Sequence, residues 1–292
     1  MMTTHPNIRD PFILVHEGKY YLYGTRSETT WGLADGFDCY VSTDLKEWEK
    51  IPYIFRNDGT FWADRSYWAP ECYERDGSFY LVASFRSEER TLGIQILKAD
   101  CPEGPFVPYS DGPVTPDDIP CLDGTVFYED GSPWLVYSRS FEKDPHGVMC
   151  ALRLTQDWNA ADGAPVALFS AEDAPWAVPF PFAREEFGRD DNMYLSDGPA
   201  LHCMEDGSLL MLWSSFGAKG YTVGMSRSAS GRLFGPWEHL SEPIFDGDGG
   251  HGMLFRTLEG KLIYTLHSPN TKGEEKPIFV PVKEANGCLV IE

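Results

Sequence analysis

Five ionisable residues stand at corresponding places in a recurring pattern along this 292-residue chain. Asp10, Glu71, Asp123, Asp197 and His251 each precede an apolar stretch that runs into a turn of acidic residue, glycine and a polar or basic residue. The turns are Glu17-Gly18-Lys19, Asp76-Gly77-Ser78, Asp130-Gly131-Ser132, Asp206-Gly207-Ser208 and Glu259-Gly260-Lys261. An ionised carboxylate accepts a proton, a carboxylic acid donates one, and crowding like charges lifts the pKa of one of them. Four carboxylates and an imidazole gathered at one point are costly in repulsion. Their convergence would therefore point to chemistry rather than to folding.

The turns say what must position these residues. Acidic-Gly pairs suit tight hairpins, because such turns need positive φ, which glycine adopts at little cost. The flanking runs at 19–23, 78–82 and 133–137 are aromatic or β-branched, and stretches with helical period are absent. Four of the five strands after the turns end in a small hydroxyl residue: Thr25, Ser84, Ser138 and Ser214. A more variable third strand follows, as at 37–42 and 220–225, and several units close at an aromatic or Gly-Pro corner: Trp48, Gly104-Pro105-Phe106, Trp158 and Gly235-Pro236-Trp237. Five units of about fifty residues, each of about four short strands, predict an all-β, five-bladed β-propeller filling residues 1–292 as a single domain. The competing arrangement is five unrelated hairpins in a sandwich. One longer interval between turns reflects a segment rich in proline and charge, 171–191, inserted between the third and fourth units. In a propeller the first strand of each blade lines the central channel, so the five ionisable residues are expected to meet at one mouth of it.

Composition narrows the partners. The chain carries 24 Lys and Arg against 45 Asp and Glu, a formal charge of -21. Such a surface repels phosphate backbones and anionic lipid, which argues against nucleic acid and membranes and suits a neutral ligand such as a sugar. Nine Trp, 14 Tyr and 18 Phe supply more burial than a disordered chain has. Residues 1–6 show no basic patch followed by an apolar stretch, and no apolar run is long enough to span a bilayer, so a cytoplasmic protein is expected. The seven cysteines (39, 72, 101, 121, 150, 203 and 288) form no CxxC pair and are read as reduced thiols.

From Asn7-Ile8-Arg9-Asp10-Pro11-Phe12 through Trp68-Ala69-Pro70-Glu71, Leu122-Asp123-Gly124 and Ser196-Asp197-Gly198-Pro199 to Gly250-His251-Gly252, the chain resembles glycoside hydrolase family 43. The resemblance covers essentially the whole length. It implies a glycosidase that inverts the anomeric centre, with Asp10 as general base, Asp123 as the auxiliary carboxylate that raises and orients the acid, and Asp197 at the general-acid position. It also implies removal of a terminal pentose, an α-L-arabinofuranoside or β-D-xyloside, from a short oligosaccharide. One departure stands out: the family usually has Glu before Gly-Pro, where this chain has Asp197. Losing a methylene shortens the reach by about 1.5 Å, on the scale of one backbone bond. The alternative is therefore a non-catalytic or weakly active carbohydrate-binding propeller.

An inverting pair must hold its carboxyl groups roughly 6.5–9.5 Å apart to admit water, which nonadjacent blades across a channel can do. A retaining mechanism with Asp10 as nucleophile is the rival. No cofactor is needed for this chemistry. The resemblance places a calcium ion or an ordered water at the channel centre near His251, structural or electrostatic in role. Trp31, Trp68 and Glu71 are the expected substrate-binding residues, the indoles as platforms for sugar rings. Trp62 is a weaker platform candidate. The insertion, with Trp176, Phe180 and Phe182, is expected either to wall the pocket on the face of Asp10 and Asp197 or to pack as a plain surface loop.

Overall fold

In the first three acidic-Gly turns both central residues take positive φ: Glu17, Asp76 and Asp130 at 47°, 51° and 51°, then Gly18, Gly77 and Gly131 at 73°, 73° and 75°. This left-handed pair matches the twist of the strands it joins. In the last two turns, among the central residues, only Gly207 and Gly260 are left-handed. The computed structural model that shows this describes residues 2–4, 6–140 and 142–292; Met1, His5 and Phe141 lie outside the described residues.

Each turn sits between the first and second strands of an antiparallel sheet, and five such sheets form the blades of a β-propeller. Blade 1 comprises Ile8–His16, Lys19–Arg26, Gly36–Ser42 and Trp48–Arg56, with Met2–Thr3 added at its outer edge. Blade 2 comprises Arg65–Arg75, Ser78–Arg86, Gly93–Ala99 and Val107–Pro108. Blade 3 runs Cys121–Glu129, Ser132–Arg139, Val148–Arg153 and Val166–Ser170; blade 4 runs Asp197–Cys203, Leu209–Gly217, Gly220–Ser228 and Trp237–His239. Blade 5 holds Gly250–Arg256, Leu262–Ser268, Lys276–Ala285 and Cys288–Ile291.

Second strands are the most deeply buried, as in the wholly buried Leu209–Gly217, because blades pack face to face over them. The ring closes where blade 5 meets blade 1. Ile8, Ile13, Tyr20, Leu22 and Trp48 pack against Phe255 and Ile263, and Trp48 stacks on Phe279 at 6.1 Å. Buried Glu275 completes the closure: its carboxylate accepts from Arg9 at 3.1 Å and from Ser27 at 2.5 Å.

Every first strand is interrupted near its start. An irregularity in register follows Arg9, Trp68, Leu122, Asp197 and Gly250, and the next residue has positive φ: Asp10 54°, Ala69 44°, Asp123 58°, Gly198 52° and His251 46°. Extra residues at such a bulge re-aim the side chain. A non-glycine residue held left-handed costs about 1–2 kcal/mol. The hydroxyls at the ends of the second strands hold the bulges in place. Thr25, Ser84 and Ser214 accept the N–H of Ala69, Asp123 and His251 at 2.8, 3.0 and 2.8 Å, each from the following blade. Blade 5 has His267 at this place, whose Nδ1 accepts the Asp10 N–H at 3.2 Å. Ser138 instead bonds the Ser196 hydroxyl at 3.1 Å.

Candidate active site

The bulges correct the register read from the turns. Asp10, Asp123 and His251 are true equivalents, Asp197 stands one residue before its bulge and Glu71 two after. Counting back from a turn assumes uninterrupted strands of equal length, which these are not. The bulges nevertheless bring Asp10, Asp123, Asp197 and His251 together. His251 Nδ1 lies 2.8 Å from Asp197 Oδ1, 3.4 Å from Asp10 Oδ1 and 3.8 Å from Asp123 Oδ2. All four side chains line one cavity of about 680 Å³, well above the lower limit for a small-molecule site. Asp197 faces this cavity despite its shorter side chain.

Gly198 shows why the strand needs glycine beside Asp197. It is left-handed, and a Cβ there would stand 2.7 Å from the His251 ring. The imidazole packs directly on this backbone.

The charges sort themselves around His251. Burial alone would lower its pKa, but the three surrounding carboxylates overcome this and raise it to about 10, so the ring is an imidazolium. Asp123 is pushed well above the carboxylate range, first by burial and then by the charge of Asp197. Asp197 is also buried, yet its pKa falls, because the His251 charge at 2.8 Å, neighbouring Asp123 and the Tyr221 hydroxyl at 2.6 Å favour its ionised form. The proton of the pair therefore rests on Asp123, not on Asp197. The imidazolium beside Asp197 is the cause.

Neighbours hold this arrangement. The Thr25 hydroxyl donates to Asp10 Oδ2 at 2.5 Å. Burial and the Arg9 charge push His267 down to about 4, leaving it neutral, and it stacks on Tyr221 at 5.6 Å. Arg9 stands 3.9 Å from Asp10 Oδ1 and lies over the Trp31 ring at 5.6 Å. Arg9, Tyr221 and His267 were missed by sequence reasoning; only Arg9, inside the Arg-Asp-Pro run, carried a signal that could have found it.

Trp31 and Trp68 line the cavity, edge to face at 5.7 Å, with the Trp68 indole N–H donating to Thr30 O at 2.7 Å. Trp31 is 59% exposed. Glu71 is not among the cavity-lining residues. Its carboxylate takes a hydrogen bond from Tyr73, which also contacts Thr125, and burial raises its pKa to about 7. Trp62 also lies away from the cavity, its N–H given to Gln95. The insertion does wall the cavity, through Phe180, Phe182, Glu186 and Phe187, with Leu195 just beyond it. Trp176 does not; it packs on Trp213 at 4.7 Å between blades.

Asp123, Asp197 and His251 bring one donor atom each within 4.8 Å of one another, the geometry of a small metal site. Their chemistry does not fit calcium. That ion takes six to eight oxygen ligands, whereas here one of three donors is a ring nitrogen that carries a proton and already neutralises the carboxylates.

Comparison with known proteins agrees with this geometry. The family model of glycosyl hydrolases family 43 matches residues 4–280. An endo-arabinase from Bacteroides thetaiotaomicron is 33% identical and superposes with a TM-score of 0.88 over 98% of this chain and 99% of that one. A xylosidase/arabinosidase 43A from Humicola insolens is 28% identical over 146 residues, and a beta-xylosidase from Xylanibacter ruminicola is 34% identical over 80 residues. The matched stretches span 42% and 24% of those two relatives. All seven cysteines are free thiols, and no helix among the described residues is long and apolar enough to cross a membrane. A match over nearly the full length, a shared fold and carboxylates gathered at the channel mouth lead to one conclusion: the chain belongs to glycosyl hydrolases family 43.

Proposed function

We propose that the protein is a glycosidase that releases a terminal pentose, an α-L-arabinofuranosyl or β-D-xylosyl group, from short oligosaccharides with inversion. The observation that carries this reading is the cluster of Asp10, Asp123 and Asp197 around His251 on the cavity wall. The names of the xylosidase and arabinosidase relatives support the pentose, and the wall built by the insertion supports attack at a chain end.

In this reading Asp10 removes a proton from water, whose oxygen bonds to the anomeric carbon as the glycosidic C–O bond breaks. Asp197 delivers a proton to the departing oxygen. It receives that proton from neighbouring Asp123, where the proton rests beforehand and whose donor atom lies within 4.8 Å. One water is consumed, Asp10 ends protonated, Asp123 ends ionised, and Asp197 returns to its starting state. His251 keeps three acidic groups within contact distance and Arg9 holds the Trp31 platform beside Asp10.

One observation favours retention instead. Asp10 Oδ1 and Asp197 Oδ1 lie 3.4 and 2.8 Å from the same nitrogen. This keeps the two oxygens closer than the lower end, roughly 6.5 Å, of the span for an inverting pair. Proton NMR of the first-formed sugar decides between them. Inversion gives the opposite anomer from the start, and a retained anomer overturns the single-displacement mechanism. Absence of turnover across nitrophenyl arabinoside and xyloside panels, with sugar binding by calorimetry, overturns the enzyme reading.

A further inference from the structure

The two sides of the cavity differ in chemistry. Beside Asp10 stands Arg9, at 3.9 Å, with Trp31 under its guanidinium and Trp68 against Trp31. Beside Asp197 phenyl rings gather; Arg86, Ser140 and Glu142 also line the cavity, with Arg86 and Glu142 paired to each other at 2.7 Å. Tyr221, which bonds Asp197, touches Phe216 at 5.7 Å; Phe216 meets Phe180 and Phe182 at 5.1 and 6.1 Å; Phe180 meets Phe187 at 6.1 Å. Phe182 and Phe187 remain 44% and 38% exposed, although both belong to this packed cluster. Among the described residues the insertion gives this cavity one polar side chain, Glu186, against Phe180, Phe182 and Phe187.

The proton donor of a glycosidase stands beside the departing oxygen, so whatever is bonded to that oxygen lies on the donor's side. Here that side is the phenyl wall. A sugar presents a ring of hydroxyls, and selective sites answer them with hydrogen-bonding groups, because unpaired polar groups lose affinity. Phenyl rings offer none. They offer apolar area and edge-to-face partners for another aromatic ring. We propose that the leaving group this cavity selects carries an aromatic ring directly beyond the glycosidic oxygen: the protein cleaves a pentoside of an aromatic alcohol or phenol in preference to a pentosyl sugar. This rests on the reading of Asp197 as the proton donor.

The test compares benzyl, methyl and pentosyl-pentose glycosides of the same sugar. Their leaving groups are alcohols of similar acidity, so differences in kcat/KM report contacts rather than leaving-group chemistry; nitrophenyl glycosides would not. The expected result is a benzyl preference of at least about tenfold over both others, the scale of burying one phenyl ring. Phe182→Ala should collapse the benzyl-to-methyl ratio toward one, and Phe182→Leu, which keeps most of the apolar area, should lower it less. A disaccharide that equals or beats the benzyl glycoside overturns the proposal, as does a ratio unmoved by Phe182→Ala. If no glycoside is cleaved, the glycosidase reading fails by itself. Calorimetry with benzyl and methyl glycosides then decides: tighter benzyl binding, weakened by Phe182→Ala, upholds an aromatic-binding wall, and equal affinities overturn it.

Discussion

At the channel mouth, Asp10, Asp123 and His251 are three copies of one device: a left-handed residue at a bulge, its N–H held by a side chain of the preceding blade. The insertion between blades 3 and 4 contains nothing repeated. It is anchored by Trp176, packed so closely over blade 4 that a Cβ at Gly224 would stand 2.0 Å from its ring. It then presents phenyl groups to the cavity. In the proposed mechanism the repeated device fixes where protons move, because a ring of blades leaves little freedom to its inner strands. The insertion shapes what lies beyond the reacting bond. Reactivity and selectivity are thus carried by different parts of the chain and should fail separately.

The largest separation is expected at Asp10. Asp10→Asn should lower kcat by about 10²–10⁴-fold, the range for losing a general base. Its melting temperature should stay close to wild type, since Asn tolerates the left-handed backbone; a large fall would make Asp10 a structural carboxylate. Asp197→Asn should cost about 10²-fold or more on benzyl glycosides and much less on dinitrophenyl glycosides, whose leaving groups need no proton. Equal losses on both would remove Asp197 from the donor role.

Stability should show the reverse contrast. Ser214→Ala leaves the buried His251 N–H without its acceptor and should cost about 1–3 kcal/mol in urea unfolding. Phe182→Ala, at an exposed position, should cost under about 1 kcal/mol. If Phe182→Ala proves the more costly, the insertion is part of the frame.

A slower trend is expected with pH. Burial raises Glu71 from 4.5 to about 7, so the folded protein holds a proton that the unfolded chain releases. By itself this makes stability fall as pH rises from 4.5 to 7 and then level off, by up to about 3 kcal/mol, against the opposite contribution of His267, lowered from 6.5 to about 4, in nearly the same window. His251, raised from 6.5 to about 10, adds a further decline as pH climbs through that window. The stability of wild type relative to Glu71→Gln should fall between pH 5 and 7 and change little from 7 to 9, measured by urea titrations at those three pH values. The smallest effect is expected from metal. Chelation with EDTA, or added calcium, should leave kcat/KM and melting temperature unchanged, because the imidazolium already balances the carboxylates; a clear response to either would seat an ion at the channel centre.

Much of the fold was legible because its signals are local. A Gly18 or Gly77 after an acidic residue declares a left-handed turn, and repetition of that turn declares blades. Thr25, Ser84, Ser138 and Ser214 could be noticed as a repeated feature, yet their partners lie in another blade and no sequence period names them. Glu71 was grouped with the cavity residues because it fell in the Trp68-Ala69-Pro70-Glu71 run, but the irregular pairing around Ala69 carries it to Tyr73 and Thr125. Trp176 and Phe182 look alike in the insertion; burial separates them, one as anchor and one as wall.

The amino-acid order alone determined the turns, the five-fold repeat, the acidic surface and the residue types able to carry protons, because each depends on neighbours within a few positions. Only the closed ring decided which of those groups touch, that the proton of the Asp123–Asp197 pair rests on Asp123, and that phenyl rings border Asp197. Those outcomes depend on burial and on charges a few ångströms away in space, between residues separated along the chain by the length of whole blades.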